Sequence, residues 1–384
     1  MKTRVVVAMS GGVDSSVAAA LLKNKGYEVI GITMCFGLQE INKKRPSCCG
    51  IEGIEDARRV AHTLGIRHYV LNFDKFLRQE VIKNFVTEYI SGRTPNPCVR
   101  CNQYLKFEQL LNKAKALGAR YLATGHYARI VKNKKYSLKK AKDRLNDQSY
   151  FLYRLTQKQM PYLLMPLGGL TKVEVRKIAS DLGLATAQKP ASQEICFIPD
   201  ENYRGFLKRE FPRIKGQIRA NIKPGPIMDR EGNVLGGHKG IPFYTIGQRE
   251  GLGIALGYPV YVIKIEAKNN TIVVGRKEDA YSYGLIAGDL GLIDPTLLAG
   301  YPSSLTRQKG GVKRNAALKV KIRYNHKEIP SEVMPFGKNR VRVKIIFSRP
   351  QFAVTPGQSV VFYRGEGVVG GGIIEEGLAD AELD

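Results

Sequence analysis

Two sets of residues in this sequence have the types and spacing to do chemistry. The first is Ser10-Gly11-Gly12-Val13-Asp14-Ser15-Ser16, directly after the apolar run that ends in Ala8 and Met9. Backbone N–H groups of such a turn, aided by the dipole of a following helix, can hold an anion such as phosphate. It is not the G-x-x-x-x-G-K-[ST] loop, because it lacks a lysine and its glycines are adjacent. The bland alternative is an ordinary glycine-containing strand-to-helix turn with Ser and Asp as caps. The second set is the cysteines. Cys35, Cys48, Cys49, Cys98, Cys101 and Cys196 all fall in the first 196 of 384 residues. Disulfide frameworks belong to small, Cys-dense secreted domains, so this clustering points to metal binding or thiol chemistry in one N-terminal domain. Cys98 and Cys101 stand three apart in Thr94-Pro95-Asn96-Pro97-Cys98-Val99-Arg100-Cys101-Asn102, which reads as a rigid, proline-framed loop. The thiolate is the attacking species, and an ordinary thiol with a pKa of about 8.5 is only a few per cent ionised at neutral pH. Arg100, Lys106 and a helix start near Leu105 would raise that fraction. Cys196 lies in Ser192-Gln193-Glu194-Ile195-Cys196-Phe197-Ile198. Cys48 and Cys49, beside Pro46, and Cys35, at a strand end, read as buried or incidental thiols.

The elements that must position these residues follow from hydrophobic period. Arg4 to Met9, Glu28 to Met34, His68 to Asn72 and Tyr121 to Thr124 are short apolar runs suited to buried parallel strands. Ser15 to Lys25, Ile54 to Leu64, Lys75 to Ile90, Leu105 to Leu117 and Lys172 to Leu182 carry helical spacing, and Gly26, Gly65 and Gly118 fall where helix C-caps are expected. This series predicts an α/β fold: an N-terminal doubly wound parallel sheet over residues 1–204, with its ligand crevice at the carboxyl ends of the strands. His126, in Thr124-Gly125-His126 just past a strand end, faces that crevice, whereas His62 and His68 read as packing or surface residues. Beyond about residue 205, Gly and Pro punctuate short strands such as Val260 to Ile265 and Thr271 to Val274, giving a small β-rich central domain over 205–279. Leu318 to Tyr324, Val341 to Phe347, Ser359 to Tyr363 and Val368 to Ile374 predict a C-terminal β-barrel over 280–376. The acidic end from Glu375, with residues 377–384 beyond the barrel, reads as a frayed tail.

Lys and Arg number 61 against 34 Asp and Glu, a formal net charge of +27, which favours a polyanionic partner over a merely solvated basic surface. Lys132 to Arg144, KNKKYSLKKAKDR, is the densest basic stretch and reads as a phosphate-contacting hairpin beside Asp147-Gln148-Ser149. The apolar stretch Val5 to Met9 is too short for a signal-peptide core, and nowhere do 18 apolar residues run together. The expectation is a cytoplasmic protein with no membrane partner, acting as a monomer.

The S-G-G-x-D-S match resembles the PP-loop of ATP pyrophosphatases, which split ATP between its α and β phosphates. Several further blocks resemble one family, the bacterial and organellar tRNA-specific 2-thiouridylases of the MnmA type: GRTPNPCVRCN (Gly92 to Asn102), LGARYLATGHYAR (Leu117 to Arg129), DQSYFLYRL (Asp147 to Leu155), EICFIPD, TIGQREGLGI (Thr245 to Ile254), and TPGQSVVFY with GGGII near the end. They lie in the family's order and cover essentially the whole chain. The resemblance implies that ATP adenylates the C2 oxygen of the wobble uridine in tRNAs for Lys, Glu and Gln, and that sulfur then displaces AMP. It implies that Ala8 to Ser16 cradle ATP, with Asp14 helping to hold Mg²⁺, and that Met34 and Gly125 line the nucleotide site. It makes Cys101 the nucleophile-side thiol and Cys196 the acceptor of persulfide sulfur from a cysteine desulfurase or relay protein. Asn96, Pro97 and Cys98 would touch the target base, and His126, Asp147, Gln148, Ser149, Arg323, Tyr324 and Gln358 would meet tRNA.

One departure bears on the chemistry. Many family members carry Asp, assigned an acid–base role, where this chain has Cys98. Cys98, Cys101 and Cys196 together offer three thiolates, the set expected for a [4Fe–4S] cluster with one iron open to sulfide. The rival reading keeps Cys101 and Cys196 as a persulfide pair that closes a transient disulfide. A structural zinc is a third, without an evident fourth ligand. Two other functions stay open at this point: a PP-loop synthetase acting on a small metabolite, and a non-catalytic RNA-binding protein that would leave the loop and thiols idle.

Overall fold

The computed structural model describes residues 2–37, 51–190, 195–198, 202–213, 221–298, 318–337 and 341–382. Cys48, Cys49 and Ser192 to Glu194 lie outside the described residues. The chain divides into two compact units, one of residues 1–82, 97–203 and 366–368, the other of 83–96, 204–365 and 369–384.

The first unit is built on strands β1 (Arg4–Ala8), β2 (Glu28–Cys35), β3 (Arg67–Asn72) and β4 (Tyr121–Ala123). Val5, Val6 and Val7 of β1 are fully buried, as befits a central strand covered on both faces. Helix α1 (Val13–Asn24) packs Val17, Ala18 and Ala20 into the same core as β1, joined by Ala57 and Val60 of α2 (Ile51–Thr63). The chain then passes through α3 (Asp74–Phe76) and, across the boundary into the second unit, α4 (Lys83–Ile90). The helix expected over 75–90 is therefore interrupted, by π-helical turns at Leu77–Ile82. A larger difference concerns the cysteines. Residues 93–96 carry no helix or strand, and α5 (Pro97–Arg100) begins at once, followed by π-helix over Cys101–Leu110 and α6 (Leu111–Ala116). Cys98 and Cys101 thus stand on a helix, not in a loop. Proline is favoured in the first turn, where its missing N–H has no partner to lose. The helix expected from Leu105 therefore begins earlier, at Pro97, and its π stretch buries Asn102, Leu105, Phe107 and Leu110.

A hairpin, β5 (Ala128–Lys132) and β6 (Tyr136–Lys140), occupies the basic stretch, and Gly367 and Val368 pair with Lys139 and Leu138 of β6. Strand β7 (Leu163–Leu164), too short to read from sequence, completes an all-parallel sheet of order β3-β2-β1-β4-β7. Strand order reverses at β1, so the crevice rule places the ligand where the chain leaves β1 at Ser10. Helix α7 (Lys172–Asp181) starts with a capping box, Thr171 Oγ1 accepting from Glu174 N while the Glu174 carboxylate accepts from Thr171 N.

The second unit holds a four-stranded sheet of β8 (Gly225–Met228), β9 (Val234–His238), β10 (Tyr261–Glu266) and β11 (Thr271–Gly275), in the order β10-β11-β8-β9. It also holds a closed barrel of β12 (Tyr281–Leu292), β13 (Leu318–Lys321), β14 (Ile329–Phe336), β15 (Arg342–Phe352), β16 (Ser359–Arg364) and β17 (Gly367–Leu378). The ring runs β12-β15-β14-β13-β16-β17 and closes where β17 pairs back onto β12, leaving no open edge. Leu285, Val320, Ile345, Phe362 and Ile374 fill its interior. The acidic end is more ordered than its charge implied. Glu376, Gly377 and Leu378 extend β17 against Ile286, Leu285 and Gly284 of β12, since backbone pairing does not depend on side-chain charge. Among the described residues no helix is long and apolar enough to cross a membrane.

Candidate functional site

The turn after β1 has the backbone of an anion cradle. Gly11 sits at φ +73°, and a Cβ there would lie 2.1 Å from the carbonyl oxygen of Gly53, so glycine is required on two counts. Gly12 precedes α1 in extended conformation without a side-chain cap, which leaves the first-turn N–H groups available to a ligand. Ser15 Oγ donates to Gly12 O at 3.1 Å and accepts from Ser10 N at 3.2 Å, and Ser16 Oγ donates to Gly12 O at 2.9 Å. These bonds brace the loop around its own backbone. Gly125, at the end of β4, approaches the same helix start: a Cβ there would be 2.8 Å from Ser15 N. Met9 is buried at the exit of β1, and Met34 is part-buried on β2.

Asp14 is held by two residues that sequence reading missed. Lys172 Nζ, at the first position of α7, lies 2.7 Å from both Asp14 oxygens, and Tyr127 Oη donates to Oδ1 at 2.8 Å. Burial, and then the Asp14 charge, hold the Tyr127 phenol protonated far above its ordinary range. Lys172 supplies beside the loop the cation that the loop's own sequence lacks. One carboxylate at the cradle, with phosphate oxygens completing the shell, is a common pattern for Mg²⁺, and Asp14 would fit it on exchanging Lys172 for the ion.

Along the cysteine helix, Lys106 follows Cys101 by five residues, one π-helical turn. Its Nζ donates to His126 Nε2 at 3.5 Å, while His126 Nδ1 lies 2.8 Å from Thr124 Oγ1. An ammonium has no lone pair, so Nε2 accepts and Nδ1 carries the proton. Burial, reinforced by the Lys106 charge, pushes the His126 pKa well below the usual value, so the ring is neutral. Asn102, buried next to Cys101, donates through Nδ2 to Phe151 O at 3.2 Å, and its Oδ1 is buried without a hydrogen-bond partner. Cys98, Cys101 and Cys196 are each part-exposed. Among the described residues no three His, Cys, Asp or Glu side chains converge on one point to hold a metal. The donor set expected for an iron–sulfur cluster is therefore not assembled in this conformation.

The remaining expected residues have defined places. Asp147 and Ser149 are buried: Asp147 Oδ2 accepts from Ser149 Oγ at 2.7 Å, and Oδ1 accepts from Ala141 N at 2.9 Å. Gln148 Oε1 accepts from Tyr127 N at 3.0 Å, so this segment braces the tyrosine that holds Asp14. In the second unit, Arg323 Nη2 donates to Thr355 Oγ1 at 3.0 Å, Tyr324 lies under the Lys321 ammonium, and Gln358 Nε2 donates to Thr94 O at 2.8 Å. The unit boundary falls between Asn96 and Pro97.

Three family models cover the chain: a tRNA methyl transferase HUP domain over residues 3–200, a tRNA methyl transferase PRC-barrel domain over 205–276 and an aminomethyltransferase beta-barrel domain over 296–374. A tRNA-specific 2-thiouridylase MnmA of Halothermothrix orenii is 52% identical over 97% of this chain and 99% of its own length. One from Heliobacterium modesticaldum is 49% identical over 98% and 94%. Across such lengths the likeness takes in the cradle, the cysteine helix and the barrel alike, and the chain belongs to the tRNA-specific 2-thiouridylase MnmA family.

Proposed function

We propose that this protein is an ATP-dependent tRNA-uridine 2-sulfurtransferase. It adenylates the C2 oxygen of the wobble uridine, position 34, in tRNAs for Lys, Glu and Gln, then replaces that oxygen with sulfur, yielding 2-thiouridine, AMP and pyrophosphate. The observation that carries this reading is the presence, in one compact unit, of an anion cradle with a paired Asp14 and a helix that opens with Cys98 and Cys101. Methyl transfer, the chemistry in the family models' names, needs neither an ATP-cleaving cradle nor thiols.

In this reading the C2 oxygen attacks the α-phosphorus of ATP and pyrophosphate leaves. Backbone N–H groups of Gly11 to Ser15 and the Lys172 ammonium take up phosphate charge, while Asp14 would hold Mg²⁺, which when bound neutralises further charge. The terminal sulfur of a Cys196 persulfide, supplied by a cysteine desulfurase or relay protein, attacks C2, and AMP departs with the former carbonyl oxygen. Cys101 thiolate then attacks the Cys196 sulfur, releases the 2-thio base and leaves a disulfide that an external dithiol reduces. Because C2 is out of reach in a stacked base, the nucleotide is flipped toward Asn96, Pro97 and Cys98. His126, neutral and hydrogen-bonded on both nitrogens, serves to aim Lys106 and not to shuttle protons. The basic hairpin 128–140 and Arg323 and Tyr324 on the barrel give the tRNA backbone its contacts.

Mass spectrometry of tRNA nucleosides after incubation with ATP, Mg²⁺ and a sulfur source tests the reading. The expected result is 2-thiouridine that disappears in Cys101→Ser and Cys196→Ser, with adenylation lost only in Asp14→Ala. ATP turnover indifferent to tRNA, with the nucleosides unchanged, would assign the cradle to a small-metabolite synthetase instead.

A further inference from the structure

Lys106 is a cation without a counter-ion among the described residues. Its neighbours on the cysteine helix, Leu105 and Phe107, are buried, and Gln159 Nε2 donates to Phe107 O at 2.8 Å, so the backbone that carries the lysine is fixed. The side chain is part-exposed, and its ammonium is turned onto His126 Nε2 at 3.5 Å. That partner is a neutral ring, and among the described residues no carboxylate pairs with Lys106. Lys172 and Lys189, which the same unit also draws from water, each hold an aspartate, Asp14 and Asp56 respectively. An ammonium partly withdrawn from water, aimed by an uncharged acceptor and given no carboxylate, is a place for an anion that arrives from outside.

The position of Lys106 selects the anion. Thr124 Oγ1, 2.8 Å from Nδ1, fixes the ring of His126 just past the end of β4. Gly125, between those two residues, is the glycine whose Cβ would lie 2.8 Å from Ser15 N and 3.0 Å from Asp14 Cβ at the cradle. Along its own helix Lys106 is one π turn from Cys101. The lysine thus joins the cysteine helix to the strand end that packs on the cradle, all within the first unit. At the cradle Lys172 is already balanced by Asp14, and a triphosphate keeps net negative charge after binding one Mg²⁺, so the site calls for a further cation.

We propose that Lys106 is a phosphate-binding residue: its ammonium holds the non-bridging oxygens of the α-phosphate, first in ATP, then in the adenylated base and in the departing AMP. The α-phosphate is the one that must lie between cradle and thiols, because its oxygen bridge ends on C2, the atom that sulfur attacks. Lys106 keeps its proton throughout, and His126 Nε2 supplies the acceptor that points it. This deepens the adenylation reading above and rests on it for which phosphate is held. It gives Lys106 a different task from the ionisation of Cys101 that its place in the sequence suggested.

The test uses the full-length enzyme without RNA, as wild type, Lys106→Met and Lys106→Arg. Equilibrium dialysis in Mg²⁺ gives the Kd of ATP, AMP and adenosine, and the pH dependence of iodoacetamide labelling, followed by peptide mass spectrometry, gives the titration of Cys101. A hydrogen bond between charged groups corresponds to roughly a 10- to 100-fold effect, so Lys106→Met should weaken ATP and AMP by about that factor and adenosine by less than about twofold. Lys106→Arg should recover part of the loss, and the Cys101 titration should stay in place. Unchanged ATP and AMP affinities in Lys106→Met overturn the proposal, and a Cys101 titration that moves upward in the same variant would make the lysine a thiol activator instead. Weakened ATP with unchanged AMP would move the contact to the outer phosphates and overturn it as well. If Lys106→Met does not fold, an unchanged AMP Kd in His126→Phe, which removes the acceptor and leaves the charge, counts equally against it. Should the wild type bind both nucleotides yet yield no 2-thiouridine, the reading of the activity falls, while the affinities still decide the phosphate contact.

Discussion

The Asp14–Lys172 pair is the most exacting feature of the site to test, because it joins residues 158 positions apart through two 2.7 Å contacts. At that distance and an effective dielectric of about 20, the gross attraction is about 6 kcal/mol. Both ions are largely withdrawn from water, with side-chain exposures of 16% for Lys172 and 31% for Asp14, and desolvating them offsets most of that attraction. A net coupling of about 1–3 kcal/mol is left, the range of charge-assisted hydrogen bonds. The perturbation is a double-mutant cycle of Lys172→Met, Asp14→Asn and both together. The chain has no tryptophan and two compact units, so global two-state unfolding is a poor readout. Hydrogen exchange of peptides spanning Val13–Asn24 and Lys172–Asp181 reports the local opening free energy directly. Lys172→Met should raise exchange in both peptides by about 5- to 150-fold in the wild-type background, the factor that 1–3 kcal/mol represents, and by far less once Asp14 is neutral. An equal effect of Lys172→Met in both backgrounds would refute the pairing, and with it the assignment of Lys172 as the cation of the cradle.

Three further outcomes follow from the geometry. Gly11→Ala combines a left-handed φ with a Cβ 2.1 Å from Gly53 O, and should destabilise the first unit by at least about 3 kcal/mol, seen as loss of soluble protein or of its thermal transition. His68, His126 and His238 are all held below the ordinary histidine pKa with burial as the largest cause, so the unfolded chain takes up protons first as pH falls. Stability should therefore be level above pH about 6.5 and decline below it, with a shallower decline in Lys106→Met; a melting temperature that rises toward pH 5.5 contradicts this. Given a net charge of +27, log Kd for tRNA should climb linearly with log salt, and each Lys→Ala change in the hairpin 132–140 that leaves one phosphate without its cation should lower that slope by about one, whereas a flat salt profile removes the hairpin from the interface.

How much of this was legible in the sequence depended on whether the signal was local. Ser10 to Ser16 could be read because the strand, the glycines and the helix start are contiguous, and a βα turn has few alternatives. The apolar runs of the parallel sheet announced themselves for the same reason, as did the barrel strands β13, β15, β16 and β17, but not β14, Ile329–Phe336, whose Pro330 and Pro335 break the run. Strand β12, Tyr281–Leu292, was silent because Gly284, Gly288 and Gly291 break its alternation, although it pairs with two neighbours and closes the ring. The cysteine helix showed only from Leu105 onward: its start at Pro97 reads as a proline-framed loop, and Cys101–Leu110 winds with the wider π period. Gln358 was visible as part of a sequence block, but its partner Thr94 lies 264 residues earlier, and nothing local could show that bond.

Lys172 differs from these, because a local signal existed and was unused. Thr171 and Glu174 mark a capping box, which places Lys172 at the first position of α7. There the helix dipole presents its positive end, so a lysine is disfavoured and an acid preferred. A buried ammonium in that position requires a carboxylate from elsewhere in the fold, and in a nucleotide-binding α/β unit the nearest candidate is the acid in the first turn of the helix after β1. With Lys172 shown by the structure to be buried, that position thus points to Asp14. In the proposed reading, phosphate at the cradle would give the ammonium a second anion while Asp14 turned to Mg²⁺, so this closed pair is the part of the site that would have to reorganise for ATP to bind.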